Sequence, residues 1–105
     1  MTTTLINKLR LSDGRVVVEI RGEVDVGHAD RVRRVLLQAS AERPTVLVVD
    51  LLYVTFIDST GIGALAAGYN AARRLGVRFA VRRPSAFIET QLRQTGLYDV
   101  LTTER

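Results

Sequence analysis

The stretch "TVLVVDLLYVTFIDSTGIGALAAG", Thr45 to Gly68, decides the fold. "TVLVVDL" is a near-continuous apolar run, as expected of a central strand covered on both sides or nearly so. From Ser59 to about Leu75 the period becomes helical, with Ile62, Leu65, Ala66, Tyr69 and Leu75 forming the inward stripe and Gly76 closing the helix. Between them the clear strand ends near Asp50, and "YVTFI" leads out to the surface. A strand that hands over to a helix in this way is the repeating unit of an α/β fold.

Upstream, "LINKLRL" reads as a first strand, and "SDGR" (Ser12 to Arg15) as a hairpin turn of the Asp-Gly type. "VVVEIRGEV" alternates, Val16, Val18 and Ile20 on one side against Val17, Glu19 and Arg21 on the other. From about Gly27 to Glu42 a helix places Ala29, Val32, Val35, Leu36 and Ala39 on one face, and Pro44 ends it. Downstream, "VRFAV" is a short strand. Pro84 opens a third helix with Phe87, Ile88, Leu92 and Thr95 facing inward, and "YDVL" adds a last edge strand.

The expected order is therefore β-β-α-β-α-β-α-β. The hairpin is antiparallel, and the helix-linked strands are parallel. Right-handed crossovers stepping one way along the sheet stack their helices on one face. The result is a two-layer α/β sandwich with a mixed sheet, a single domain over residues 1–105 with its core at about 5–101. It is not a doubly wound nucleotide fold.

Composition narrows the function. The chain has 105 residues, no cysteine and a formal net charge of +4. Neither a disulfide scaffold nor a zinc-thiolate centre is available. The start lacks a signal-peptide core and no run reaches membrane-spanning length, so a cytoplasmic protein is expected, without membrane attachment. Arginine supplies nearly all the positive charge, Lys8 being the only lysine. The short groups Arg31, Arg33, Arg34; Arg73, Arg74; and Arg82, Arg83 have few aromatics among them to stack on bases, so they read as solvated surface rather than a nucleic-acid interface.

"DSTGIG" (Asp58 to Gly63) admits several chemistries. Asp58 or Ser59 can cap a helix by accepting a hydrogen bond from a free amide of the first turn. A cap does not account for Gly61 and Gly63, each costing up to roughly 1 kcal/mol against alanine. Gly61, Ala64, Gly68 and Ala71 make a stripe without bulk, which admits a close neighbour from inside the fold or from a partner. "GIGALA" loosely matches a dinucleotide fingerprint, but the strand ends too early and Val81, Arg82 and Arg83 stand where an acidic residue is needed. No lysine follows to make a P-loop. Catalysis by Ser59 needs an adjacent base, and His28 is the only histidine. A Ser59/His28 hydrolase lacks the G-x-S-x-G elbow, and one imidazole beside Glu23, Asp25 and Asp30 is thin for a metal site. A serine at an exposed helix start can instead carry a phosphoryl group of about −1.5 to −2 charges, tolerated by the free amides and the helix dipole.

Taken together, "GEVD" (Gly22 to Asp25), "VLVVDLLYVTFIDSTGIGAL" (Val46 to Leu65) and "RRPSAFIETQLRQTGLYDVL" (Arg82 to Leu101) resemble the STAS domain. The likeness is to its free-standing form, the bacterial anti-sigma factor antagonists. It implies the same one-sided α/β sheet. It also implies that Ser59, after the core aspartate Asp58, is phosphorylated by an anti-sigma factor serine/threonine kinase, with Thr60 as a minor second acceptor. Unphosphorylated antagonist binds the anti-sigma factor and frees the sigma factor for transcription; phosphorylation releases it, and a PP2C-type phosphatase resets the switch. Asp25, Asp58, Ser59, Thr60, Gly61, Ile62 and Gly63 are the implied partner-binding positions, on a non-enzymatic monomer or weak homodimer without cofactor or metal. The rival is a STAS subunit of a lipid-transport ATPase complex. Because many members continue past "LTTER" into another helix, that helix is expected to be short or missing.

Overall fold

The computed structural model describes residues 3–102. The elements run β1 (Leu5–Arg10), β2 (Val16–Val24), α1 (Ala29–Ala41), β3 (Val46–Ile57), α2 (Ser59–Arg74), β4 (Arg78–Arg82), α3 (Ala86–Gln94) and α4 (Tyr98–Thr102). The strands form one sheet in the order β1-β2-β3-β4, with β1 antiparallel to β2 and the remaining pairs parallel. Gly14, with φ of +89°, carries the hairpin turn in a conformation that suits glycine.

Strand alternation builds the two layers. Register sets Val16, Leu47 and Phe79 side by side, and likewise Val18, Val49 and Val81. These rows join Val32 and Leu36 of α1, Leu65 of α2 and Ile88 and Leu92 of α3 in one hydrophobic cluster. The helices therefore cover one face. The opposite rows, Leu9–Val17–Val48–Ala80 and Asn7–Glu19–Asp50–Arg82, stand outside that cluster. Lys8 and Arg10, on the helix side of β1, reach Glu42 at the end of α1. The grouped arginines of α1, α2 and β4 are exposed, in keeping with solvated surface. Among the described residues, no helix is long and apolar enough to cross a membrane.

Four expectations need correction. β3 does not end near Asp50 but continues to Ile57. Two register shifts against β2, between Glu19 and Arg21 and between Gly22 and Glu23, keep the strands paired while breaking the period of two. Leu51, Val54 and Ile57 turn inward, and the residues between them turn out. Gly22 serves the second shift: its φ is +105°, and a Cβ there would stand 3.0 Å from the Thr3 carbonyl. The strand-to-helix turn is thus immediate, so an early strand end is no reason to reject the dinucleotide fingerprint; the missing acidic residue remains one.

"YDVL" lies in α4, not a fifth strand. Gly96, with φ of +77°, turns the chain, and Leu101 donates its amide to Leu97 at 2.9 Å while its side chain is fully buried. One inward leucine per helical turn satisfies this segment without strand pairing, and β4 remains an edge strand. In α3, Ile88 and Leu92 face inward as expected, but Phe87 is 52% exposed and Thr95 points out. Ser85 caps the helix by accepting from Ile88 N, and this start fixes Ile88 and Leu92 on the buried stripe, leaving Phe87 about 100° away. Thr95 spends its hydroxyl on the Leu92 carbonyl.

The bulk-free stripe of α2 faces inward. A Cβ on Gly68 would meet Leu36 Cδ1 at 2.7 Å, so this glycine seats α1. The expectation about a further C-terminal helix falls at and beyond residues 103–105, outside the described residues.

Candidate functional site

The candidate site forms where β2 and β3 end together. Asp58 leaves the strand in an extended conformation, its amide donating to the Val24 carbonyl at 3.3 Å. Its carboxylate Oδ1 then accepts from Thr60 N at 2.9 Å, Gly61 N at 3.1 Å and the Thr60 hydroxyl at 2.5 Å. This is a helix cap that satisfies two of the free amides of the first turn. The Thr60 hydroxyl, with the Gly61 and Thr60 amides, outweighs desolvation and holds the Asp58 carboxyl below its ordinary value. Asp58 is therefore an anion throughout the neutral range.

Beside it, the turn after β2 is organised by Asp25. Its carboxylate accepts from Gly27 N at 3.0 Å and meets His28 Nδ1 at 2.7 Å, while its carbonyl accepts from His28 N and Ala29 N. The Asp58 amide on the Val24 carbonyl ties the two turns together. Gly61 sets their separation. A Cβ there would lie 2.4 Å from the Val24 carbonyl and 2.6 Å from Ile57 Cγ1, so only glycine lets α2 start this close to β2.

Ser59 and Thr60 are exposed on the first turn of α2, but their hydroxyls differ. Thr60 is tied to Asp58. Ser59 Oγ makes no hydrogen bond among the described residues. The hydrolase arrangement is not assembled: His28 Nδ1 meets Asp25, as a triad would ask, but among the described residues no hydrogen bond joins the ring to Ser59. Among the described residues no three His, Asp or Glu side chains gather to hold a metal ion.

The anticipated contact surface also changes. Asp25, Asp58, Ser59, Thr60 and Gly63 lie at the surface, whereas Gly61 and Ile62 are buried. Gly61 faces β2 and Ile62 joins the core cluster. Gly63 is the glycine with open space, nothing lying within 4 Å of the Cβ position. An aromatic pair at this end carries no mark in the sequence pattern. Phe56, 38% exposed, stacks on Phe87 with centroids 6.2 Å apart. The altered β3 period that turns Phe56 outward could be inferred only by placing the bulges. Gln91 of α3 donates from Nε2 to the Ile57 carbonyl at 2.9 Å, fixing α3 against the same strand end.

The geometry can be set beside known proteins. The family model of the STAS domain matches residues 8–105. The anti-sigma-F factor antagonist RsfB of Mycobacterium tuberculosis is 38% identical over 55 residues, which cover 52% of this chain and 45% of RsfB. The match thus spans about half the length of that curated relative. The crystal structure of an anti-sigma factor antagonist from Mycobacterium paratuberculosis is 32% identical, with a TM-score of 0.73 over 97% of this chain and 83% of that one. The phosphorylated form of the Bacillus cell fate determinant SpoIIAA aligns over 94% of this chain and 89% of its own, at 18% identity and a TM-score of 0.74, a likeness of fold alone. By sequence and by fold, the chain belongs to the STAS domain family.

Proposed function

We propose that this STAS domain, a single domain over the whole chain, is an anti-sigma factor antagonist switched by phosphorylation of Ser59. In the unphosphorylated state it binds an anti-sigma factor that is also a serine kinase, and the sigma factor is freed. Phosphorylation ends the binding, and a PP2C-type phosphatase restores it. The chain acts as a binding partner and kinase substrate in the cytoplasm, with no cofactor of its own.

The observation that carries this reading is the unpartnered, exposed Ser59 hydroxyl at the first position of α2, directly after the Asp58 cap. A kinase can reach that oxygen without unfolding the helix. The phosphoryl dianion would sit at the positive end of the helix dipole, so the fold can keep it. A partner surface pressed against Asp25, Asp58 and Gly63 would meet two added charges beside an existing carboxylate, at short range and with water excluded. The cost of stripping water from that dianion, its repulsion from any acidic group the partner presents, and the bulk of the phosphoryl group dissociate the complex. Thr60 is the weaker acceptor because its hydroxyl is already held by Asp58.

Incubation with the cognate anti-sigma kinase and ATP, followed by intact mass, tests the assignment. Addition of one phosphoryl group in the wild type and none in Ser59→Ala is expected. An unmodified wild-type mass without kinase binding would point to a subunit of a lipid-transport ATPase complex instead.

A further inference from the structure

We propose that Phe56 and Phe87 form the apolar anchor by which the kinase grips this chain while Ser59 occupies its active site, an inference that rests on the phosphorylation reading above. Phe56 precedes Ser59 by three residues, so the two backbones lie within about 11 Å of each other. A protein–protein patch of ordinary size covers about 800 Å² on each partner, a disc of roughly 16 Å radius. A kinase that delivers a phosphoryl group to Ser59 Oγ must cover Ser59. A footprint of that size centred on Ser59 reaches Phe56, whose ring stacks on Phe87.

The pair has the properties of an anchor. Phe56 and Phe87 are 38% and 52% exposed and stand outside the core cluster, so folding does not require them to be aromatic. Their rings stack at 6.2 Å with an interplanar angle of 26°, within the favourable range. Both are on fixed supports. Phe56 is in paired strand opposite Glu23, and Phe87 is in the first turn of a helix held by the Ser85 cap, by Gln91 on the Ile57 carbonyl, and by Ile88 and Leu92 in the core. Little ordering is left to be lost on binding. Rigid, half-exposed aromatics beside a polar contact are where interface energy concentrates. The matching partner surface is an apolar recess of aliphatic or aromatic side chains at the rim of its ATP cleft.

The test uses the full chain and the cognate anti-sigma kinase. Affinity and phosphorylation kinetics are measured for wild type, Phe87→Ala and Phe56→Ala. Leu9→Ala, an apolar side chain 50% exposed on the helix-free sheet face, is the control. Phe87→Ala should weaken binding about tenfold or more and raise KM for the chain by a similar factor, with kcat within about twofold. Leu9→Ala should match wild type. Since Phe87 stands outside the core and loses only its stacking on Phe56, the thermal unfolding midpoint of Phe87→Ala should fall by no more than about 8 °C and the variant should stay folded, and Phe56→Ala should repeat the binding loss. Kinase binding by Phe87→Ala as tight as wild type would overturn the anchor and leave the switch standing. A wild-type chain that is neither bound nor phosphorylated would overturn both. Self-association abolished by Phe87→Ala, with kinase affinity unchanged, would give the pair to a second copy of the chain and likewise overturn the anchor.

Discussion

A single residue, Ile62, separates Gly61 from Gly63, and substitutions at the two glycines should move stability in opposite directions. A Cβ at Gly61 would run into the Val24 carbonyl, a backbone atom that cannot step aside, so Gly61→Ala should cost about 2–3 kcal/mol in urea unfolding. Gly63 faces open space in the same helix, so Gly63→Ala should gain up to about 1 kcal/mol while weakening the kinase complex. A Gly63→Ala variant that binds as well as wild type would remove this position from the interface. Asp58→Ala should cost about 1–2 kcal/mol through the lost cap. Because the folded carboxyl lies below its ordinary value of 3.8, its contribution is complete above that pH and disappears as pH falls through the lowered value. Asp58→Asn should therefore flatten the acid limb of the stability–pH curve. The cap could be read from the sequence, since an aspartate before a helical period has few other local uses. The destination of the small-residue stripe could not: spacing marks a close approach, and Leu36 and Val24 appear as the neighbours only once α1 and β2 are placed.

At the scale of elements, patterns with one consistent period were legible and those with a broken period were not. Val16, Val18 and Ile20 alternate cleanly, and β2 came out as expected. In β3 the bulges shift the alternation twice between Leu51 and Ile57, hiding both the length of the strand and the outward turn of Phe56. Four-residue patterns such as "YDVL" fit a strand or one helical turn equally well, and burial of Leu101 decides in favour of helix. A further link joins elements on the helix-free face. Asp50, in the middle of β3, is 6% exposed and is bound by Arg83, which follows β4 with φ of +56°. Burial opposes ionisation of Asp50, but hydrogen bonds from Arg83 and the Leu52 amide outweigh it and keep the carboxyl below its usual value. Arg83→Ala would leave a buried carboxylate with the Leu52 amide and the field of Arg82 but without its bound guanidinium. It should lower the unfolding midpoint, more so at neutral pH than below pH 4, where Asp50 can take up a proton. Equal loss at both pH values would show that Arg83 acts through its backbone conformation and not through the pair.

For the whole molecule, the fold keeps its core apart from the proposed switch. The core lies between the helices and one sheet face, whereas Ser59, Asp25 and Gly63 gather at the sheet's C-terminal end. A charge added at Ser59 therefore enters water and the helix dipole, not the core. Phosphorylated and unphosphorylated chains should unfold at nearly the same temperature, with amide NMR shifts confined to about residues 24–28 and 57–63. Shifts spread through β1 or α1 would mean that the backbone is remodelled. The decisive measurement is a calorimetric titration of the cognate anti-sigma kinase with wild-type chain and with chain phosphorylated at Ser59. A drop in affinity of at least about a hundredfold, equivalent to roughly 2.7 kcal/mol, is expected on phosphorylation. Equal affinity of the two forms would contradict the switch.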